Sequence, residues 1–556
     1  MKYLIFLFLA FQTVTVYAQQ TVGLYVNHSE SFDGYTLLTP LGSPSTYLIN
    51  NCGEEVHSWQ SDAMGGGATY LTTTGDIFRA TRTQNPFFSG GETGGHIEKF
   101  NWEGDLVWDY AYSNGPIMQH HDFAVMPNGN LIVLAWEYRT EQEAIAAGRD
   151  PNIVEESLWF SNVSEIELVG SDTFNVVWEW SLYDHLVQDI DSTKANFGVI
   201  SQEKGRLNIN DLASEGNPMN PDFMHCNAVT YNADLDQIAI SARSRSEIYV
   251  IDHSTTTAQA ATSVGGVYGK GGDFLYRWGN PQVYHQGTEL DRVLHLQHDV
   301  TWVVGHDGAM GRFICFNNYG VSETQSSVVE WIPPMSGPGV YVDEPNAAFG
   351  PSELSWSYTD SEMYSGQMSG AQRLPNGNTL IVEGNTGEFT EVDSAGTMVW
   401  RYINPDSFFG MTTQGVAPNF NSVFKAQRYG TDYAAFDGRD LEAGNVLELD
   451  PYPSNCVIYP EEVDSVPPDT ITSVLVADIN EYTLIHSLGQ IRVKMSEPQP
   501  VKWQLIDMFG KAMRLGSDQG EFSILTSNLA SGYYFIRLTA TRSFEVEVQK
   551  VFIQRD

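Results

Sequence analysis

The 556-residue chain carries 69 acidic against 29 basic side chains, a formal net charge of −40. That balance excludes nucleic acid and anionic membrane surfaces as partners, since both need basic footprints. It still admits a small anion in a local cationic pocket, because long-range repulsion is screened within about 8 Å at physiological salt.

The first predicted element is a secretory signal over residues 1–18. Lys2 precedes the apolar run Leu4 to Phe11, and Val16-Tyr17-Ala18 before Gln19 is a small-residue cleavage site. The run is too short to span a bilayer, and no later stretch reaches the ~20 apolar residues a spanning helix needs. The mature chain is therefore expected to be exported and to carry no transmembrane helix. Of the four cysteines, Cys52 lies near the start of the main domain and Cys456 near its end, a position suited to a terminal clasp. Cys226 and Cys315 lie between them, and sequence alone leaves the connectivity open.

From residue 19 to 458 the chain reads as one repeat domain. Asp122-Phe-Ala-Val-Met-Pro-Asn-Gly-Asn-Leu-Ile-Val-Leu134 is strand, tight turn, strand, and Ala371-Gln-Arg-Leu-Pro-Asn-Gly-Asn-Thr-Leu-Ile-Val382 is its closest copy. Asn128-Gly129 and Asn376-Gly377 supply the positive φ of the turn, and Gly75 keeps it in a third hairpin. A second strand pair follows each hairpin and ends in Trp-centred text, as in Asp105-Leu-Val-Trp-Asp-Tyr110, Asn175-Val-Val-Trp-Glu-Trp180, Val328-Val-Glu-Trp331 and Thr397-Met-Val-Trp-Arg-Tyr402. Four strands per repeat predict β-propeller blades with the tryptophans packed between them. Hairpins open near Gly67, His121, His225, His298 and Ser369; a sixth unit combines Val423–Tyr429 with the N-terminal stretch Tyr35 to Trp59. The expected fold is thus all-β, a six-bladed propeller closed by strands from both termini, with seven blades the alternative. Long inserts at 144–154 and 184–222 are expected on one face. A Pro/acidic linker, 459–474, leads to a small C-terminal β-sandwich, 475–556.

Three of the hairpins open on a histidine at the same phase: His121, His225 and His298. Around a propeller axis, same-phase positions converge, so three distant imidazoles are expected to share a pocket. Alternation along a strand turns Asn227 the same way as His225 and Cys226 into the blade. The hairpin centred near residue 234 puts Arg243 opposite His225 across the ladder. Imidazole, amide and guanidinium together make a receptor for a tetrahedral oxyanion. A three-histidine metal site is the rival chemistry, and Arg243 beside the cluster disfavours a divalent cation. Asp122 and Asp299 are expected to face away from the histidines and bond between blades. Ser369 shares the histidine phase and could present a hydroxyl to the pocket. His121 is preferred over His120 because Asp122-Phe123 sets the phase.

The texts Gln119-His-His-Asp-Phe, His225-Cys-Asn-Ala-Val, Ile240-Ser-Ala-Arg243 and Gln297-His-Asp resemble those of the bacterial aryl-sulfate sulfotransferases, from about Gly23 to Leu441. The resemblance implies a cofactor-independent transferase, needing no PAPS and no metal, that moves a sulfuryl group from an aryl sulfate to a phenol acceptor in ping-pong fashion. It implies His298, on the fourth blade, as the transiently sulfated nucleophile, with His121, His225 and Arg243 as catalytic partners and Asn227 as a substrate-binding group. A threonine of the family contacts the sulfuryl group, and Ser369 is its nearest counterpart. In the tail, Leu529-Ala-Ser-Gly-Tyr-Tyr-Phe-Ile-Arg-Leu538 and Gln549-Lys-Val-Phe-Ile-Gln554 resemble the sorting domain of the type IX secretion route of Bacteroidetes. That implies the secretion machinery as a partner and a secreted or outer-membrane-surface location. The competing readings are a non-catalytic surface propeller, an adhesin or glycan binder, and a propeller hydrolase or lyase using the same histidines.

Overall fold

The computed structural model describes residues 20–88, 94–154, 156–212, 219–303, 311–451 and 456, together with eight strands of the tail between 477 and 553. The signal 1–18 and the linker 459–474 lie outside the described residues. The chain divides into two compact units, 1–461 and 462–556.

The first unit is a six-bladed β-propeller of antiparallel blades. Numbered from the hairpin at Gly67, the innermost strands are Gly65–Leu71, Ile117–Val125, Cys226–Asn232, His298–Trp302, Gly370–Arg373 and Val423–Gly430. The ring closes twice. Val423–Gly430 pairs with Gly34–Pro40 to head the sixth blade, and Gly23–Asn27 adds a fifth strand to the outer edge of blade five. A disulfide between Cys52 and Cys456, with Cα atoms 5.2 Å apart, ties the two ends of this unit; Cys226 and Cys315 are free and buried.

Tryptophans from the outer strands cement neighbouring blades. The indole N–H of Trp59 donates to the Asn101 carbonyl, Trp108 to Thr173, Trp278 to Pro351 and Trp400 to Asn51, while Trp178 donates to the Thr255 hydroxyl. Each ring buries apolar area worth about 4–6 kcal/mol before entropy is counted, and its one polar atom finds a partner on the next blade. Blade four differs from the sequence expectation. Trp331 ends the third strand, Gln325–Trp331, and the fourth is Trp356–Tyr358, reached through a long connection. Trp331 still packs between blades, stacked on Trp278 at 4.3 Å.

The turn glycines Gly75, Gly129 and Gly377 have φ of +90°, +89° and +94°, as their shared position in the hairpins requires. The second unit consists of two four-stranded antiparallel sheets, a β-sandwich. No helix among the described residues is long and apolar enough to cross a membrane.

Candidate functional site

The phased histidines do sit at the openings of neighbouring inner strands, but not in regular strand. The ladder slips at the same place in four blades: between Gly65 and Thr69, Gln119 and Phe123, Cys226 and Ala228, and His298 and Thr301. At or beside these bulges, His121 (φ 55°), His225 (46°), Asp299 (55°), Met368 (56°) and Ser369 (86°) adopt left-handed backbone. Non-glycine residues held there cost roughly 1–3 kcal/mol each, and persist only where surrounding bonds impose them. Simple i, i+2 alternation therefore does not describe these positions; the bulges re-aim the side chains.

His298 is 3% exposed and bonded at both ring nitrogens. Nδ1 lies 2.7 Å from Asn318 Oδ1, and Nε2 accepts the Met368 N–H at 3.2 Å. Burial, reinforced by the Arg243 charge, holds its pKa well below the ordinary histidine range, so the ring is neutral with a lone pair on one nitrogen. His121 is depressed in the same direction by burial, with further contributions from His225, His120, His298 and Arg243. Its ring lies 4.9 Å from that of His225. The Nδ1 atoms of His120 and His121 are 2.7 Å apart, and His120 stacks on Trp136 at 4.2 Å. Burial pushes the His120 pKa down to about 3. His121 Nε2 is buried without a partner among the described residues.

His225 is the more accessible ring, and its Nδ1 lies 2.6 Å from Asp222 Oδ2. Asp222 also accepts from the Trp136 indole at 3.0 Å and from the His225 backbone N–H at 3.2 Å. Burial alone would raise its pKa; the His225 ring and these bonds outweigh that and keep the carboxylate ionised. Arg243 is opposite His225 as expected, its backbone N–H bonded to the His225 carbonyl at 3.2 Å. Its guanidinium reaches the Gly366 carbonyl at 3.5 Å, and its charge acts on both His298 and His121, which places it in the same pocket. Among the described residues no group of three His, Cys, Asp or Glu side chains is arranged to hold a metal.

Asn227 is fully buried; Nδ2 donates to the Gln297 carbonyl at 2.7 Å, next to His298, and Oδ1 has no partner among the described residues. Ser369 departs from its expected use. Its hydroxyl donates to Gln367 O at 3.2 Å and accepts the Gly384 N–H at 3.0 Å, so it braces the backbone bulge. The group that reaches toward the pocket from this strand is the preceding amide, that of Met368.

Asp122 and Asp299 turn away from the histidines, as expected, and meet a cation that sequence reasoning missed. Lys425 Nζ lies 3.0 Å from Asp122 Oδ2 and 3.0 Å from Asp299 Oδ1. The Tyr70 hydroxyl donates to Asp122 at 2.7 Å, and the Val229 N–H of blade three donates to it at 3.1 Å. Beyond this cluster, toward the other end of the inner strands, lies a cavity of about 710 Å³ lined by Tyr70, Tyr231, Thr301, Lys425 and Tyr429, with no phased histidine in its wall. Asp222, Asn318 and Met368 were missed as well. Asp222 had one signal, its place three residues before His225; Asn318 had none short of the bulged register that pairs His298 with Phe316.

Similarity to solved structures is distant. Pseudomonas aeruginosa periplasmic gluconolactonase PpgL is 10% identical over 89% of this chain and 99% of its own, with a TM-score of 0.34. A catalytically inactive virginiamycin B lyase from Staphylococcus aureus, solved with quinupristin, is 10% identical over 69% of this chain and 89% of its own, with a TM-score of 0.31. A Bacteroides vulgatus protein of the DUF3244 family with an immunoglobulin-like β-sandwich is 14% identical over 13% of this chain and 84% of its own, with a TM-score of 0.13. No curated protein matches the sequence significantly. The sequence model of one family, described as arylsulfotransferase (ASST), does match, over residues 43–404. These residues run from the first outer strands of blade six to the end of blade five and include every phased histidine, so the chain belongs to the arylsulfotransferase family.

Proposed function

We propose that the protein transfers a sulfuryl group from a phenolic sulfate ester to a second phenol through a sulfated His298, with no nucleotide donor. The observation that carries this is a neutral, buried His298 with a lone pair on Nε2, set in a pocket with the Arg243 guanidinium. Nε2 attacks sulfur and forms the N–S bond as the S–O(aryl) bond breaks, its electron pair leaving on the phenolate. His225, held by Asp222, gives that phenolate a proton. In the second half the acceptor oxygen attacks sulfur, the S–N bond returns its pair to Nε2, and the phenol proton passes to His225. Arg243, with His121 Nε2 and the Asn227 amide, balances charge on the sulfuryl oxygens through the trigonal-bipyramidal state.

The test uses a chromogenic aryl sulfate with and without an added phenol. The expected outcome is one enzyme equivalent of phenol released in a burst, turnover only with acceptor, and a sulfated His298 in the intact mass. His298→Gln should abolish burst and turnover while the protein stays folded. Turnover without acceptor would mean a hydrolase, and no release a binding module; intact transfer in His298→Gln overturns the assignment of the nucleophile.

The signal text at 1–18, the sorting-domain text of the tail and the Cys52–Cys456 disulfide support export and display at the outer surface. Deleting residues 459–556 should leave the propeller inside the cell envelope, as read by fractionation.

A further inference from the structure

We propose that Asn318 is the positioning residue of the transfer: it fixes His298 as the Nδ1–H tautomer, so that the sulfuryl group is taken up on Nε2. This rests on His298 being the nucleophile, as inferred above. Asn318 is fully buried, and its amide leaves no choice of orientation. Nδ2 donates to the Ser365 carbonyl at 2.7 Å and to the Met368 carbonyl at 3.2 Å. A flipped amide would set its oxygen against two carbonyl oxygens with nothing to donate, at the cost of several unsatisfied buried groups. The atom facing His298 Nδ1 at 2.7 Å is therefore Oδ1, which can only accept. Nδ1 carries the proton.

The other side of the ring agrees. The Met368 N–H points at Nε2, and a donor there requires a lone pair. Two bonds on opposite nitrogens thus specify one tautomer. Asn318 is also the right kind of partner for a nucleophile. A neutral amide orients the ring without favouring the imidazolium, whereas the carboxylate of Asp222 suits the proton-carrying role given to His225. The titratable and charged groups acting on the His298 ring are Arg243 and His225, with His121 beyond, and none of them is an anion. During transfer the proton stays on Nδ1, hydrogen-bonded to Asn318 Oδ1, while Nε2 gains and then loses sulfur. The Met368 N–H, released from Nε2, is left within reach of a sulfuryl oxygen.

The experiment measures the burst of phenol from a chromogenic aryl sulfate between pH 5 and 9 for full-length wild type, Asn318→Leu and Asn318→Asp, with the thermal midpoint of each. In Asn318→Leu the burst rate should fall about 10²-fold or more, as when a tautomer-setting partner is lost, with the donor KM nearly unchanged. In Asn318→Asp the new anion favours the imidazolium, so the acidic limb of the burst rate should move up by about one pH unit or more, with the rate regained above it. If Asn318→Leu does not fold, the limb of Asn318→Asp decides. Wild-type burst rate and limb in a folded variant, or sulfation mapped to Nδ1, overturns the proposal. A wild type with neither burst nor sulfated His298 instead overturns the reading beneath it.

Discussion

Two polar clusters lie one residue apart on the same inner strands, and they are built on opposite rules. In the first, Asp122, Lys425, Asp299 and Tyr70 bond to one another, and the two carboxylates hold the Lys425 pKa well above the ordinary lysine value despite burial. In the second, His121 and His298 are held neutral, and His121 Nε2 and Asn227 Oδ1 have no partner among the described residues. Buried polar atoms without partners cost about 1–3 kcal/mol each. The molecule tolerates that cost at the strand openings and avoids it one residue further in. The closed cluster is built as scaffold, while the open one leaves a His121 ring nitrogen and the Asn227 amide oxygen unpaired among the described residues.

Breaking the closed cluster should have the largest effect on stability. Lys425→Met leaves two buried carboxylates facing each other and should cost about 3–5 kcal/mol, seen as a large fall in the denaturation midpoint. Activity lost in proportion to folded protein would confirm the division; unchanged stability would end it. Asp222→Asn probes the open cluster and should lower transfer about 10²-fold by removing the carboxylate that serves His225, with a far smaller change in midpoint. The smallest effect is the share of a single ring in the pH dependence. His120, His121 and His298 all have folded pKa values below the unfolded value, so the unfolded chain binds their protons first. Their contribution to stability is full above about pH 6.5 and is lost as pH falls, at about 1.4 kcal/mol per pH unit for each ring. Denaturant titrations at pH 5 and 7 check the slope, which should flatten in His120→Phe.

Much of this was legible because it depends on short-range arithmetic. Short hairpins fix their own register, which is why Arg243 falls opposite His225 across the turn at Asn232 to Asp236, as the text predicted. The closure was legible because Val423–Tyr429 and the N-terminal stretch Tyr35 to Trp59 together make up a sixth unit. What was not legible depends on irregular or long-range geometry. Asp222 arrives on the end of a 40-residue excursion from the ladder, and Asn318 meets His298 only through a bulged register. Trp331 was misplaced by one strand because the fourth strand of its blade lies beyond 332–355, a segment with two short strands of its own. Ser369 shared the phase of the histidines, but phase locates a residue without telling which of its atoms faces inward.

The late position of Lys425 has a consequence for the order of events in the life of the chain. The cation that neutralises Asp122 follows it by 303 residues and Asp299 by 126. Until the strand that carries it is in place, Asp122 and Asp299 have no Lys425 cation between them. A chain that ends before residue 425 should therefore hold two carboxylates with no cation between them, and be the less stable for it.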